Sequence, residues 1–141
     1  MVKNIRKEIF CESSPEDVWQ ALTDPEEISA WLMRTTDFKA VPGATFTMQA
    51  KPMGKWDGKI YGEILVADKP RVLSYTWKGD QMKNHTVIKW TLRPGNNGTF
   101  LIMEHTGFSG FPDFILGLFH AMGWNKFLKK LKNQLQNNAK A

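Results

Sequence analysis

From Lys3 to Glu12 the chain alternates, with Ile5, Lys7 and Ile9 on one side and Arg6, Glu8 and Phe10 on the other. A period of two predicts a β-strand. Ser13-Ser14-Pro15-Glu16-Asp17 then reads as a helix start. Ser14 can cap, Pro15 suits the first turn, and Asp17 can reach back to the cap's amide. The helix Pro15–Thr23 gathers Val18, Ala21 and Leu22 on one face, with Trp19 beside them. Asp24-Pro25 stops it, because a residue before proline avoids the helical region. A second short helix, Glu26–Trp31, places Ile28, Trp31 and Leu32 at helical spacing.

After Arg34 the period returns to two. Phe46 and Met48 alternate with Thr45 and Thr47 after a Pro42-Gly43 turn. Lys51–Asp57 reads as an irregular hairpin loop. Lys59–Asp68, Val72–Lys78, His85–Arg93 and Thr99–Thr106 are predicted strands, the last two joined by the turn Pro94-Gly95-Asn96-Asn97-Gly98. From Pro112 onward the spacing is helical. Ile115, Leu118, Phe119 and Met122 share one face, and Trp124, Phe127, Leu128, Leu131 and Leu135 share a nearly opposite one. The change of face predicts a kink or break near Gly123. Lys126, Lys129, Lys130 and Lys132 fall on the solvated side, and Gln136–Ala141 reads as a frayed tail. The sum is an α+β fold, one curved antiparallel β-sheet gripping a long C-terminal α-helix, with two short helices after the first strand.

Composition narrows the class. A length of 141 residues suits one domain over the whole chain, with an ordered core over about residues 3–135. Six Trp, nine Phe and seven Met exclude disorder as the main state. No apolar run approaches a membrane span. The N-terminus carries no visible secretory signal, and the lone Cys11 can form no internal disulfide, so a cytoplasmic protein is expected. The net charge of +5 comes from 19 basic residues interspersed with 14 acidic ones. Without a clustered basic motif this reads as solubility, not as a nucleic-acid footprint. His85, His105, His120 and Cys11 lack metal-ligand spacing, and no cofactor is expected.

Several phrases, taken in order, carry a resemblance. They are Ser14-Pro15-Glu16-Asp17-Val18-Trp19-Gln20-Ala21-Leu22-Thr23-Asp24-Pro25-Glu26, Pro42-Gly43-Ala44-Thr45-Phe46, Gly62-Glu63-Ile64, Pro70-Arg71-Val72-Leu73-Ser74-Tyr75-Thr76-Trp77, Gly98-Thr99, His105-Thr106-Gly107-Phe108 and Gly123-Trp124. Together they resemble the START-like (SRPBCC, birch-pollen-allergen-like) superfamily. The branch is that of the activator of the 90-kDa heat-shock protein ATPase, over residues 3 to about 135. Ala44 departs from the family's commoner second glycine, which affects one turn. The resemblance implies a helix-grip fold whose internal cavity binds apolar or amphipathic molecules in some relatives. Others bind a chaperone, and still others are catalytic, so fold alone does not settle function.

Strand parity nominates side chains facing the space between sheet and helix. Leu73, Tyr75 and Trp77 share a face, as do Ile88, Trp90 and Leu92, and Leu101, Met103 and His105. The candidate ligand-lining set is Trp31, Phe46, Met48, Tyr75, Trp77, Ile88, Trp90, Leu101, Met103, His105, Phe119, Trp124, Phe127 and Leu128. An apolar lining with few polar anchors suits a small-molecule pocket. A plainly filled core fits the same residues. His105 is a ligand anchor, an acid or base, or a structural histidine bonded within the protein. Tyr75 needs a partner, from a ligand or from an internal acceptor. Glu104 points away from His105. Phe108, Phe111, Phe114, Phe119 and Met122 form a lid, a docking patch or a second small core.

The leading functional expectation is a domain, more readily a binder than an enzyme, for a lipid-like or polyketide-like small molecule. The alternatives are a chaperone-linked stress-response module and a cyclase-like or hydrolytic enzyme using His105. The expected partners are a small apolar ligand and a possible chaperone, and the expected state is a monomer or weak homodimer.

Overall fold

Alternation along the first strand is realised directly. In the computed structural model, β1 runs Val2–Cys11, with Ile5 and Cys11 buried and Asn4 and Arg6 exposed. The structure describes residues 2–54, 56–80, 82, 84–109 and 113–140; side chains 2, 3, 109, 113–119, 139 and 140 lie outside the description. Ser14 Oγ then accepts from Asp17 N at 3.1 Å, and Pro15 opens α1, Pro15–Thr23. The reciprocal bond from Ser14 N to the Asp17 carboxylate does not form, so only half of the expected capping pair is present. Asp24 is extended and ends α1, its N–H donating to Gln20 O. Pro25 starts α2, Pro25–Trp31, one residue earlier than expected, since proline fits a first helical turn.

Five strands follow: β2 Thr45–Gln49, β3 Lys59–Asp68, β4 Val72–Trp77, β5 Thr86–Gly95 and β6 Gly98–Ser109. They join β1 in a six-stranded sheet ordered β1-β6-β5-β4-β3-β2, and every neighbouring pair is antiparallel. The β5–β6 hairpin closes on the pair Gly95 and Gly98, leaving a two-residue turn at Asn96-Asn97 with φ of 51° and 61°. Asparagine tolerates this left-handed region better than other non-glycine residues, and such a turn matches the strand twist. Inward positions alternate as predicted. On β5 they are Thr86, Ile88, Trp90 and Leu92, and on β2 they are Phe46 and Met48.

The last helix, α3, corrects one expectation. It is continuous over Asp113–Lys140, so Gly123 does not break it. A helical glycine costs only about 1 kcal/mol relative to alanine. The buried stripe Trp124, Leu128, Leu131 and Leu135 outweighs that cost. Lys126, Lys129 and Lys130 are exposed as expected, and Lys132 is half-buried. Of the expected first face, Met122 is exposed at 69%, while the side chains of Ile115, Leu118 and Phe119 lie outside the described residues.

Candidate functional site

The core between sheet and α3 is built from flat rings meeting at steep angles. Trp31 at the end of α2 donates its indole N–H to Ala21 O at 2.8 Å, which locks α2 onto α1. Its ring meets Trp90 of β5 edge-on, with centroids 5.8 Å apart. Trp90 meets Trp124 of α3 at 5.7 Å, and Trp124 meets Trp77 of β4 at 5.6 Å. These rings form one chain from the short helices across the sheet to the long helix. Ring pairs in such geometry add about 1 kcal/mol each beyond the area they bury.

Two polar networks run through the rings. At one end, Trp124 Nε1 donates to His105 Nδ1 at 3.0 Å. An indole nitrogen can only donate, so Nδ1 is the lone-pair nitrogen and the proton sits on Nε2. Nε2 faces Thr86 Oγ1 at 2.7 Å, and Thr86 Oγ1 donates its own hydrogen to Trp77 O at 2.7 Å. The direction is therefore fixed: Trp124 to His105 to Thr86 to the Trp77 carbonyl. Both His105 nitrogens are spent, and the ring is completely buried. Burial, and secondly the nearby His120, hold its pKa well below the ordinary 6.5. Protonating Nδ1 would also set two N–H groups against each other. Trp77 Nε1 donates to His120 Nε2 at 3.1 Å, and the two histidine rings lie 5.2 Å apart.

At the other end, Trp90 Nε1 donates to the Tyr75 hydroxyl oxygen at 2.9 Å. Tyr75 is flanked edge-on by Phe46 at 5.2 Å and Phe38 at 5.6 Å. Burial, partly offset by the Trp90 bond, pushes the phenol pKa far upward. Elsewhere, burial raises the Cys11 thiol to about 11 despite the opposing influence of Lys132. Glu104 pairs across the sheet with Arg6 and Lys89 and makes no bond to His105.

Every nominated side chain that the structure describes belongs to this interior. Trp31, Phe46, Met48, Tyr75, Trp77, Ile88, Trp90, Leu101, Met103, His105, Trp124 and Leu128 are buried, and Phe127 is half-buried against them. Phe119 lies outside the described side chains, as do Phe111 and Phe114 of the suggested lid; Phe108 is buried beside His105, at 4.6 Å. Thr86 and Phe38 are the additions. Thr86 has the same parity as Ile88 and Trp90, so alternation could have found it. Phe38 lies between α2 and β2, where no periodicity exists to reveal it.

Among the described residues, two recesses are lined by α3 and its neighbours. The larger, about 870 Å³, separates α1 and α2 from the C-terminal half of α3 and is lined by Asp17, Glu27, Gln20, Asn133, Gln134 and Asn138, among others. The smaller, about 280 Å³, lies between β1 and α3. Of the nominated lining residues only Leu128 borders either of them. Among the described residues no cluster of three or more histidine, cysteine or acidic side chains could hold a metal ion. No described helix is long and apolar enough to cross a membrane.

A sheet gripping one long helix, with two short helices after the first strand and an interior of this kind, defines the helix-grip class of the START-like superfamily. Within that class the chain belongs to the family described as activator of Hsp90 ATPase homolog 1-like protein, whose sequence profile matches residues 12–136. The crystal structure of MLL2253 from Mesorhizobium loti is similar at 34% identity and a TM-score of 0.83, over 96% of this chain and 97% of that one. At the level of fold, CalU16 from Micromonospora echinospora is similar at 24% identity and a TM-score of 0.78, over 95% of this chain and 76% of that one. The Aha1 dimer from Colwellia psychrerythraea is similar at 23% identity and a TM-score of 0.79, over 94% and 95% of the two chains. No curated protein matches the sequence.

Proposed function

We propose that this chain binds an uncharged apolar or amphipathic small molecule between the concave face of the sheet and α3. One observation carries the reading: the interior is walled by tryptophan, tyrosine and phenylalanine rings with a few hydrogen-bonding groups set among them. Flat walls with sparse polar anchors suit a ring-bearing guest. The recesses beside α1–α2 and beside β1 lie away from this interior; on this reading a guest enters by displacing a ring. The His105 end supports binding over catalysis, since a histidine with both nitrogens engaged and its pKa depressed is a poor proton acceptor.

Lipids and neutral polyketide-like aromatics, screened by thermal unfolding and by NMR of the indole N–H groups, test this. A ligand at about a hundredfold its Kd adds about 2.7 kcal/mol to stability. It should also move the Trp90 and Trp124 indole signals. No stabilisation by any member, with unmoved indole signals, refutes the proposal. A second reading, a chaperone-linked module, is favoured by the family description. It predicts stimulation of a heat-shock protein ATPase by the purified chain.

A further inference from the structure

Among the described residues nothing accepts the hydroxyl hydrogen of Tyr75. Its oxygen accepts from Trp90 Nε1 at 2.9 Å. The side chain is only 2% exposed. A phenol that accepts one hydrogen bond becomes a stronger donor through the same oxygen. Buried donors in native structures are nearly always satisfied, and one left over requires an explanation. The remaining described rings of the interior do not share this feature: the Trp31, Trp77, Trp90 and Trp124 N–H groups and both His105 nitrogens all have partners.

We infer that the Tyr75 hydroxyl is the anchor for a ligand oxygen, and that the ligand is a neutral ring-bearing molecule carrying a ketone, ester or ether acceptor. This rests on the apolar-ligand reading above and specifies its chemistry. Charge decides the class. Among the described residues the buried polar side chains are Ser13, Thr35, Ser74, Thr86, Thr99 and His105, with no lysine, arginine or carboxylate among them. An anionic or cationic group beside Tyr75 would therefore be desolvated without a counter-charge, whereas a carbonyl would gain a donor. Phe38 is the ring the ligand replaces. It lies 4.9 Å from Phe46 and 5.6 Å from Tyr75, and it belongs to neither strand nor helix. Its described contacts are with rings alone, so displacing it breaks no sheet ladder.

The test uses acetylnaphthalene and, as its carbonyl-free counterpart, isopropenylnaphthalene. Both are titrated into the wild-type protein and into Phe38→Leu, which makes room at a smaller packing cost than alanine. Tyr75→Phe alone would free the Trp90 N–H to bond the ketone, so the comparison is between Trp90→Phe and the double variant Tyr75→Phe/Trp90→Phe. The ketone should bind roughly tenfold tighter than the hydrocarbon in the wild type, Phe38→Leu and Trp90→Phe, and lose that preference in the double variant. Independently of the substitutions, the infrared C=O stretch of the ketone bound to wild type should sit below its position in hydrocarbon solvent. If both probes bind equally and the stretch is unshifted, the Tyr75 anchor is overturned while the apolar-ligand reading stands. If neither probe binds wild type or Phe38→Leu, the Tyr75 anchor for a ring-bearing ketone is overturned, and the lipid and polyketide-like panel decides the apolar-ligand reading separately.

Discussion

Acidification should weaken this fold through His105, and the size of the loss follows from its bonds. In the unfolded chain the imidazole titrates near 6.5; in the folded protein burial, then His120, holds it neutral to much lower pH. Above pH 6.5 both states are neutral and His105 contributes no pH dependence. Below it the unfolded state binds a proton that the native state refuses, so stability falls as pH falls, by up to about 1.4 kcal/mol per unit. From pH 7 to pH 5 that amounts to about 2 kcal/mol, a large part of a typical stability of about 5–15 kcal/mol. Urea unfolding midpoints measured at half-unit pH steps read the slope. The comparison variant is His105→Gln, whose amide can accept from Trp124 and donate to Thr86 without titrating. Its stability should be nearly flat over the interval where the wild type declines. His120→Gln separates the neighbouring ring, 5.2 Å away. Glu27 runs the opposite way: burial raises its carboxyl above 4.5, so the native state takes up its proton first and gains as pH falls. That contribution is common to both proteins and cancels. An unchanged slope in His105→Gln, or a folded His105 resonance titrating near 6.5, would refute the reasoning.

Four further outcomes follow from particular contacts. Trp124→Phe keeps the ring but leaves His105 Nδ1 without a donor, and should cost about 2 kcal/mol in urea unfolding. Gly62→Ala places a Cβ against the Phe46 ring and the Thr76 carbonyl oxygen, which cannot move independently of the sheet; it should cost at least about 2 kcal/mol by the same assay. Gly123→Ala should instead stabilise by about 1 kcal/mol, because the helix is continuous there and the nearest atom to a new Cβ is Phe127 Cε2 at 3.8 Å. Cys11, buried with its thiol raised to about 11, should resist disulfide reagents at pH 8 and react promptly once urea unfolds the chain.

Parity and capping made most of the architecture legible. Strand alternation located β3 to β6 to within a few residues, and Ser14-Pro15 with Asp24-Pro25 marked the short helices because their backbone chemistry is local. The break expected at Gly123 rested on the change of apolar face there, and the helix runs on because its second stripe, Trp124, Leu128, Leu131 and Leu135, is buried in tertiary contacts that local sequence cannot weigh. The nominated interior residues came together because facing strands share one parity rule. The wiring inside that interior was not legible. His105 meets partners nineteen positions away on either side, Thr86 and Trp124, and its tautomer depends on which of them must donate. Phe38 was hidden because a loop residue owes its burial to tertiary position, not to a period.

The two ends of the ring cluster differ in how they resist change. At the His105 end, β6, β5, β4 and α3 are joined by consecutive bonds, and moving the Trp124 or His105 ring breaks a buried bond. At the Tyr75 end, Phe38 contributes ring contacts alone, from a segment outside the sheet, beside a hydroxyl whose hydrogen no described residue accepts. A displacement that costs only apolar contact is cheaper than one that also orphans a polar group. Among the described residues the softest wall of the interior is therefore at Phe38. Hydrogen exchange should register the asymmetry, since opening at the His105 end requires the sheet ladder to part while opening at Phe38 does not. The Thr86 and Trp90 amides of β5 should exchange only by near-global unfolding, and the amides of residues 36–40 by far smaller openings. Equal protection of the two regions would remove the basis for placing the entrance at Phe38.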